Sequence, residues 1–177
     1  MYISMCVSGK STDLSRMDLP LTFHSVHGKN VELSADRRQA KRVDSYCDAI
    51  CFSARPIATG ERVFLKCVDT TSDWKSALRF GFTSTDPGSL RREDLPRVVY
   101  VDRNEKLGTG VETLAVQYVQ YADAGNELFF HLNRAGDVFY GVNGEDKGLF
   151  LSDVNTSGPL WALLDIYGNT TCVEFVN

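Results

Sequence analysis

Three histidines and five cysteines are the side chains of this 177-residue chain whose chemistry could hold a metal or drive a reaction. His24 and His27 lie close together beside Gly28, but no Cys or carboxylate adjoins them in sequence. A zinc site needs three or four ligands at suitable spacing. We therefore predict structural or surface roles for both histidines, and neither a metal site nor a cofactor.

Cys47 and Cys51 are the pair that nucleophilic catalysis would use, with His131, the remaining histidine, as the base. A reactive thiolate needs a positive environment, a nearby base and a group that orients that base. No orienting acid is evident around His131, so we predict that Cys47 and Cys51 pack beside the start of a strand. The chain is predicted not to be an enzyme by itself, with a small hydrolase that depends on His131 as the alternative.

The basic residues are densest in one run, although the chain as a whole is acidic. Its formal net charge is −4, which argues against general nucleic-acid binding because such binding needs a basic surplus. The run contains the basic side chains Arg37, Arg38, Lys41 and Arg42. It is either a solvated turn between two strands or a patch for phosphoinositide head groups at a membrane surface.

The cysteines and the apolar pattern both indicate a reduced, cytoplasmic compartment. The cysteines are odd in number and scattered, and Cys67 and Cys172 lie in apolar segments where a free thiol packs as a small hydrophobe. The first ten residues have too short an apolar stretch for a signal peptide. No run of about 18 apolar residues, as a membrane span requires, is present.

The elements that must position these residues are predicted to be strands. From Leu21 onward, short apolar runs alternate with turn residues at intervals of about ten, a rhythm typical of a sandwich or barrel. Period-two alternation in three runs predicts strands with one covered face. The predicted inward residues are Val63, Leu65, Cys67, Leu78, Phe80, Phe82, Leu128, Phe130 and Leu132. Arg79 and Thr83 are expected on the opposite, uncovered face of their strand.

Turn chemistry predicts three consecutive strands between 127 and 152, because Gly136 and the pair Asn143-Gly144 can supply the positive φ of hairpin turns. The run 160–167 is apolar on both faces and predicts a central strand, with Trp161 in the core. Only 86–90 carries a helix signal, of one turn. The predicted fold class is all-β, with a flexible segment at 1–20 and one domain at 21–177.

Five motifs occur in the order of a neuralized homology repeat, and together they span nearly everything after residue 20. They are LTFHSVHGKN (21–30), CFSARPI (51–57), LRFGFT (78–83), GDVFYGVNGE (136–145) and PLWALLDIYG (159–168). The chain therefore resembles the neuralized family of ubiquitin ligases in its substrate-recognition repeat.

The resemblance implies an antiparallel β-sandwich similar to SPRY-type recognition domains. It implies that the domain binds short motifs in the cytoplasmic tails of Notch ligands of the Delta and Serrate/Jagged class, or Asn-containing motifs of Bearded-type inhibitors. Such binding would regulate ubiquitination and endocytosis of the ligands. The implied location is the cytoplasm, peripheral to the plasma membrane or endosomes, and some members are associated with phosphoinositides.

Two departures from the family pattern bear on activity and specificity. The closely spaced Cys and His pairs of a RING finger are missing from this sequence, so ligase chemistry is not expected of these residues. Where many members place Pro-Asp-Leu and then Trp in a long central loop, this sequence has VDRNEKLGTG at 101–110. A loop that helps to select partners would then select different ones from those of the Delta-binding members.

Loop residues are the predicted partner contacts, because recognition usually lies on the loops at one end of a sandwich. Trp74 follows a polar stretch and is either a core plug or an exposed anchor. An Arg can pair with a carboxylate or a side-chain amide. The predicted contacts are Arg55, Trp74, Arg79, Tyr167 and Asn169.

Overall fold

Strands are the main regular secondary structure of the described backbone. The computed structural model describes residues 19–72, 78–99, 106–107 and 111–177, with the backbone alone at 106–107 and 111–115. Three predictions fall outside the described residues: the flexibility of 1–18, the role of Trp74 and the course of most of the 101–110 loop.

Twelve strands in the described residues form two antiparallel sheets. The larger sheet has the spatial order β1 (Val31–Leu33), β2 (Gln39–Arg42), β12 (Thr170–Val176), β4 (Arg62–Thr70), β8 (Glu127–Leu132), β9 (Val138–Val142), β10 (Glu145–Leu151). The smaller has the order β3 (Ile50–Phe52), β11 (Trp161–Asp165), β5 (Arg79–Thr83), β7 (Val111–Tyr118), β6 (Lys106–Leu107). The predicted all-β antiparallel sandwich is confirmed.

The core lies between the two sheets and is built from the inward residues that alternation predicts. Every one of the nine predicted inward side chains is at most 1% exposed. Phe80 of β5 and Phe130 of β8 stack across the interface with ring centroids 3.8 Å apart. Stacked aromatic pairs add to the free energy that burial alone provides. Trp161 is also buried, as predicted.

The predicted three-strand meander is present as β8, β9 and β10. The tight turn between β9 and β10 contains Asn143 and Gly144, whose φ angles are 50° and 82°. Positive φ at both central positions is the geometry of a type I′ turn, whose twist matches that of the flanking strands. Gly136, in the preceding turn, has the predicted positive φ, 92°.

The prediction that Arg79 and Thr83 face solvent is wrong, because β5 is covered on both sides. Their exposed fractions are 5% and 0%. A second apolar cluster lies on the outer face of the smaller sheet, where Leu163 of β11 packs with Val99. This cluster comes from the segment that follows β5 and from neighbouring strands, so alternation within β5 does not reveal it.

Helical structure in the described residues is limited to two short turns. Pro87–Ser89 is the turn predicted at 86–90, and Asp86 Oδ1 accepts a hydrogen bond from the Gly88 N–H at 2.8 Å. A second turn follows at Arg92–Asp94. Within the described ranges, neither turn is long and apolar enough to cross a bilayer.

Candidate functional site

Four loops come together at the end of the sandwich where β4 finishes and β12 begins. They are 43–49, the described part of the β4–β5 loop (71–72 and 78), 119–126 and 166–169. The Ile166 N–H donates to the Ala49 carbonyl at 3.1 Å, and the Thr71 N–H donates to the Asn169 carbonyl at 2.7 Å. Backbone bonds between the loops fix their relative positions, so they present one preformed surface.

A buried ion pair lies beneath this surface. Arg79 Nη1 is 2.8 Å from Asp165 Oδ2, which also accepts the Val99 N–H at 3.0 Å. Burial raises the pKa of Asp165, and the interactions with Val99 and Arg79 act in the opposite direction. Among the described residues, Asp165 Oδ1 and Arg79 Nε have no hydrogen-bond partner. An ion pair in this setting is costly to break, because the remaining charge is left buried.

Tyrosine rings surround the Arg79 guanidinium. Its carbon lies 4.0 Å from the ring centroid of Tyr167 and 5.2 Å from that of Tyr118. Tyr46 meets Tyr167 edge to face, with centroids 5.6 Å apart. Tyr46 and Tyr118 are 42% and 44% exposed, so part of each residue lies at the surface. We call Tyr46, Tyr118, Tyr167 and Asn169 the tyrosine surface.

Comparison with known proteins shows which family this chain belongs to. The family model described as Neuralized matches residues 23–177. The chain belongs to the Neuralized family. The Neuralized protein of Drosophila virilis is 44% identical over 158 residues, which cover 89% of this chain and 21% of that protein. Human E3 ubiquitin-protein ligase NEURL1B is 37% identical over 155 residues, covering 87% of this chain and 27% of that one.

Solved structures support the same assignment. The NHR1 domain of Drosophila melanogaster Neuralized superimposes with a TM-score of 0.81 at 41% identity, over 90% of this chain and 99% of that domain. The SPRY domain of human HERC1, at 11% identity and a TM-score of 0.60, shares the fold alone. The chain thus corresponds to about a fifth of the length of the Drosophila virilis relative. It is a protein-interaction domain of the neuralized type.

The predicted contacts of this Neuralized-family domain are not all brought together. Arg79 and Tyr167 are in contact at the loop end, and Asn169 lies in the same loop as Tyr167, but Arg79 is buried beneath the rings rather than at the surface. Sequence reasoning missed Tyr46 and Tyr118. The signal for Tyr118 is its place at the end of β7, where a strand enters a loop.

Arg55 lies at the opposite end of the domain. Its guanidinium pairs with Glu61 at 2.7 Å and donates to the Leu19 carbonyl at 2.6 Å. A groove of about 460 Å³ borders this pair and reaches Phe64 and Asn177. Because the cation is already engaged within the chain, Arg55 anchors the lead-in to the first strand. Its role as a partner contact stays a prediction.

The basic run does not form a single patch. Arg42 is turned toward the loop end, where Nη2 donates to the Gly168 carbonyl at 2.6 Å. Arg38 directs its guanidinium at the Phe175 carbonyl. Arg37 and Lys41 are the members that stay fully on the surface. Phosphoinositide binding stays a prediction. Two of the four basic side chains predicted for it already donate hydrogen bonds to backbone carbonyls of the domain.

The histidines at 24 and 27 have partners within the fold. His24 Nδ1 accepts the Val26 N–H at 2.9 Å, and His27 lies 2.9 Å from the Gly28 carbonyl and 3.0 Å from Arg92. Burial lowers the pKa of both imidazoles. Across the part of the chain that the structure describes, no group of three His, Cys, Asp or Glu side chains is arranged to hold a metal.

Burial protects two of the cysteines from alkylation. It raises the pKa of Cys67 to about 12 and that of Cys51 well above the usual range. In the native protein near neutral pH, we expect iodoacetamide to modify the half-buried Cys47 while Cys51 and Cys67 remain intact, because the thiolate is the reactive species. Peptide mass mapping before and after unfolding in urea tests this. Rapid native labelling of Cys67 contradicts it.

Proposed function

We propose that this domain recognises substrates in a neuralized-type ubiquitin ligase pathway. It binds short motifs in the cytoplasmic tails of Notch ligands of the Delta and Serrate/Jagged class, or in Bearded-type inhibitors. Binding brings the ligand tail within reach of a catalytic domain and so regulates its ubiquitination and endocytosis. The site of action is the cytoplasm, at the face of the plasma membrane or endosomes where such tails lie.

The observation that carries this proposal is the tyrosine surface. Tyrosine offers a large, rigid ring and a polar hydroxyl at a small cost in conformational entropy, which suits it to recognition. Tyr46 and Tyr118 are exposed, the Tyr46 ring packs edge to face on Tyr167, and Asn169 lies two residues after Tyr167 in the same loop. An extended peptide can therefore pack on the rings and exchange hydrogen bonds with the hydroxyl and amide groups.

The buried ion pair beneath the tyrosine surface supports the same function. Arg79 and Asp165 hold the Tyr167 ring from below, while backbone bonds connect the loops around it. A flexible tail loses conformational entropy when it binds. A surface that is already ordered avoids adding its own entropy loss to that of the tail, which favours measurable affinity for a short motif.

The names of the relatives support a role in ubiquitin ligation. Several are described as E3 ubiquitin-protein ligases, including NEURL1B and the mouse NEURL3. In such a protein the recognition domain contributes binding, and the transfer of ubiquitin takes place elsewhere. We infer the same division of labour for a full-length protein that contains this domain.

Removing the two exposed rings is expected to abolish recognition without unfolding the domain. In the Tyr46→Ala/Tyr118→Ala variant, the dissociation constant for a labelled Delta-class tail or Asn-containing inhibitor peptide should rise at least about tenfold. Both residues are more than 40% exposed and lie outside the hydrophobic core, so we expect the domain to stay folded without their rings. Fluorescence anisotropy measures the binding, and circular dichroism measures the melting temperature.

Leu19→Ala is the matched control, because Leu19 is 56% exposed at the opposite end beside Arg55. The control should bind the peptides as the parent domain does. Loss of binding in Leu19→Ala with full binding in the tyrosine variant contradicts the proposal, since it assigns recognition to the other end. A tyrosine variant that melts early shows that the two rings are structural.

A further inference from the structure

One lateral seam of the sandwich has an open strand edge on each side. β10 is the last strand of the larger sheet, and β6 pairs with β7 only at Val111 and Glu112. From residue 113 to Tyr118, the edge of β7 that faces away from β5 has no paired strand among the described residues. β7 and β10 approach each other here. Open edges expose backbone donors and acceptors that can pair with another chain.

A backbone donor at this edge is capped by a replaceable side chain. The Val119 N–H points to the β5 side, where it donates to the Leu78 carbonyl at 2.7 Å. The preceding N–H, that of Tyr118, instead donates to Gln117 Oε1 at 3.0 Å. A side-chain amide on the same strand edge thus occupies the position that a carbonyl of an added strand would take.

A recess opens next to this donor. Its volume is about 320 Å³, and it is lined by Gln117, Tyr118, Gln120, Tyr140, Leu149 and Phe150. None of these side chains is charged. Leu149 is 57% exposed, whereas Phe150 packs against Phe130 of the core with ring centroids 5.1 Å apart. The recess is therefore an apolar opening at the margin of the core, with amide groups at its rim.

We propose that an extended segment of the partner lies in this seam as an added strand along β7. A main-chain carbonyl of this segment accepts the hydrogen bond from the Tyr118 N–H in place of the Gln117 side chain. One uncharged apolar side chain of the segment fills the recess beside Leu149. Main-chain pairing provides affinity and the recess provides specificity, as in other cases of strand addition. A charged side chain is excluded because the uncharged lining leaves it unpaired.

β7 rather than β10 is the template for pairing. The register of β10 on β9 shifts twice, between Asp146 and Gly148 and between Leu149 and Leu151, whereas that of β7 on β5 shifts once, between Thr113 and Ala115, and is regular from Ala115 to Tyr118. Such irregularities twist an edge and hinder its pairing with a further strand. The proposal rests on the proposed function, because Tyr118 belongs both to the tyrosine surface and to the seam, so one bound peptide continues from the first to the second.

Leu149→Asp tests the recess. It should raise the dissociation constant of the Delta-class tail or inhibitor peptide at least about tenfold, because a carboxylate then faces an apolar side chain. Leu19→Asp is the matched control, since Leu19 is 56% exposed at the opposite end beside Arg55 and undergoes the same change of residue and charge. The control should bind normally, and anisotropy measures both variants.

The pairing itself is tested with the same peptide carrying one N-methyl group at successive positions. A strand turns alternate N–H groups toward its neighbour, so methylation should weaken binding at every second position of the segment. Amide exchange at Tyr118 should slow when the peptide binds, because its N–H then lies within a ladder.

The outcomes separate the two proposals. Binding that requires Tyr46 but is indifferent to Leu149→Asp and to alternate N-methylation overturns the added strand and leaves the proposed function standing. Absence of binding for every tail and inhibitor peptide overturns the proposed function, and the added strand with it. If the domain self-associates and Leu149→Asp abolishes that self-association, the seam binds a second copy of the domain. This outcome also overturns the added peptide strand.

Discussion

Replacing Arg79 with methionine is expected to lower the free energy of unfolding by about 3–5 kcal/mol, the usual cost of leaving one member of a buried ion pair alone. Asp165 is 0% exposed and, among its hydrogen-bond donors in the described part of the chain, would retain only the Val99 N–H. Methionine keeps an unbranched apolar stem, so the change removes the guanidinium and its charge while much of the packing of the stem is retained. Urea denaturation monitored by circular dichroism measures the effect.

Two further variants isolate the role of burial. Arg91 pairs with Asp94 at 2.6 Å, a shorter distance than that of the buried pair, but its side chain is 71% exposed. Arg91→Met should leave the urea midpoint unchanged. Arg79→Met/Asp165→Asn should recover most of the lost stability, because the asparagine oxygen still accepts from Val99 without a charge. Equal losses in the single and double variants would show that the ion pair is not the cause.

The loss caused by Arg79→Met should depend on pH. Burial already raises the pKa of Asp165, and removal of Arg79, which lowers it, raises it further. Below about pH 3.9, Asp165 is protonated in both the folded and the unfolded protein, so the loss of the Arg79 charge lowers the stability least. The difference in stability between parent and variant should therefore grow as pH rises from 4 toward neutrality. If the stability difference between parent and variant shrinks over this pH range, the buried charge of Asp165 is not the cause of the loss.

Most of the fold could be predicted because its signals are local. The alternation around Val63 and Leu128 and the Asn143-Gly144 turn each depend on residues adjacent in sequence, and each is confirmed. The fully buried β11 was predicted from its uninterrupted apolar run. These patterns place side chains on faces of strands, but they do not say what covers each face.

The site was harder to predict because its parts are brought together by pairing between distant segments. Arg79 looks like a solvent-facing residue until the cluster containing Val99 covers β5. Tyr46 and Tyr167 meet only because the β2–β3 and β11–β12 loops lie at the same end. Arg55 was chosen for its loop position, although Glu61 follows it by six residues and neutralises it.

Gly136→Ala is expected to destabilise the domain by about 3 kcal/mol or more, from positive-φ strain of about 1–2 kcal/mol and the loss of a backbone hydrogen bond. The φ of Gly136 is 92°. A Cβ there would lie 2.3 Å from the Val154 carbonyl oxygen, a contact with rigid backbone. The segment at Val154 would have to move, which strains the bond that its N–H donates to the Gly136 carbonyl at 3.0 Å.

Gly144→Ala separates strain from crowding. Gly144 has a similar φ of 82° in the β9–β10 turn, but nothing lies within 4 Å of the position that a Cβ would take. This variant should lose only about 1–2 kcal/mol, the cost of the positive φ. Thermal and urea unfolding of both variants measure the difference. Equal losses would mean that φ alone governs both turns, whereas a larger loss at Gly136 shows that the segment at Val154 is held firmly against that turn.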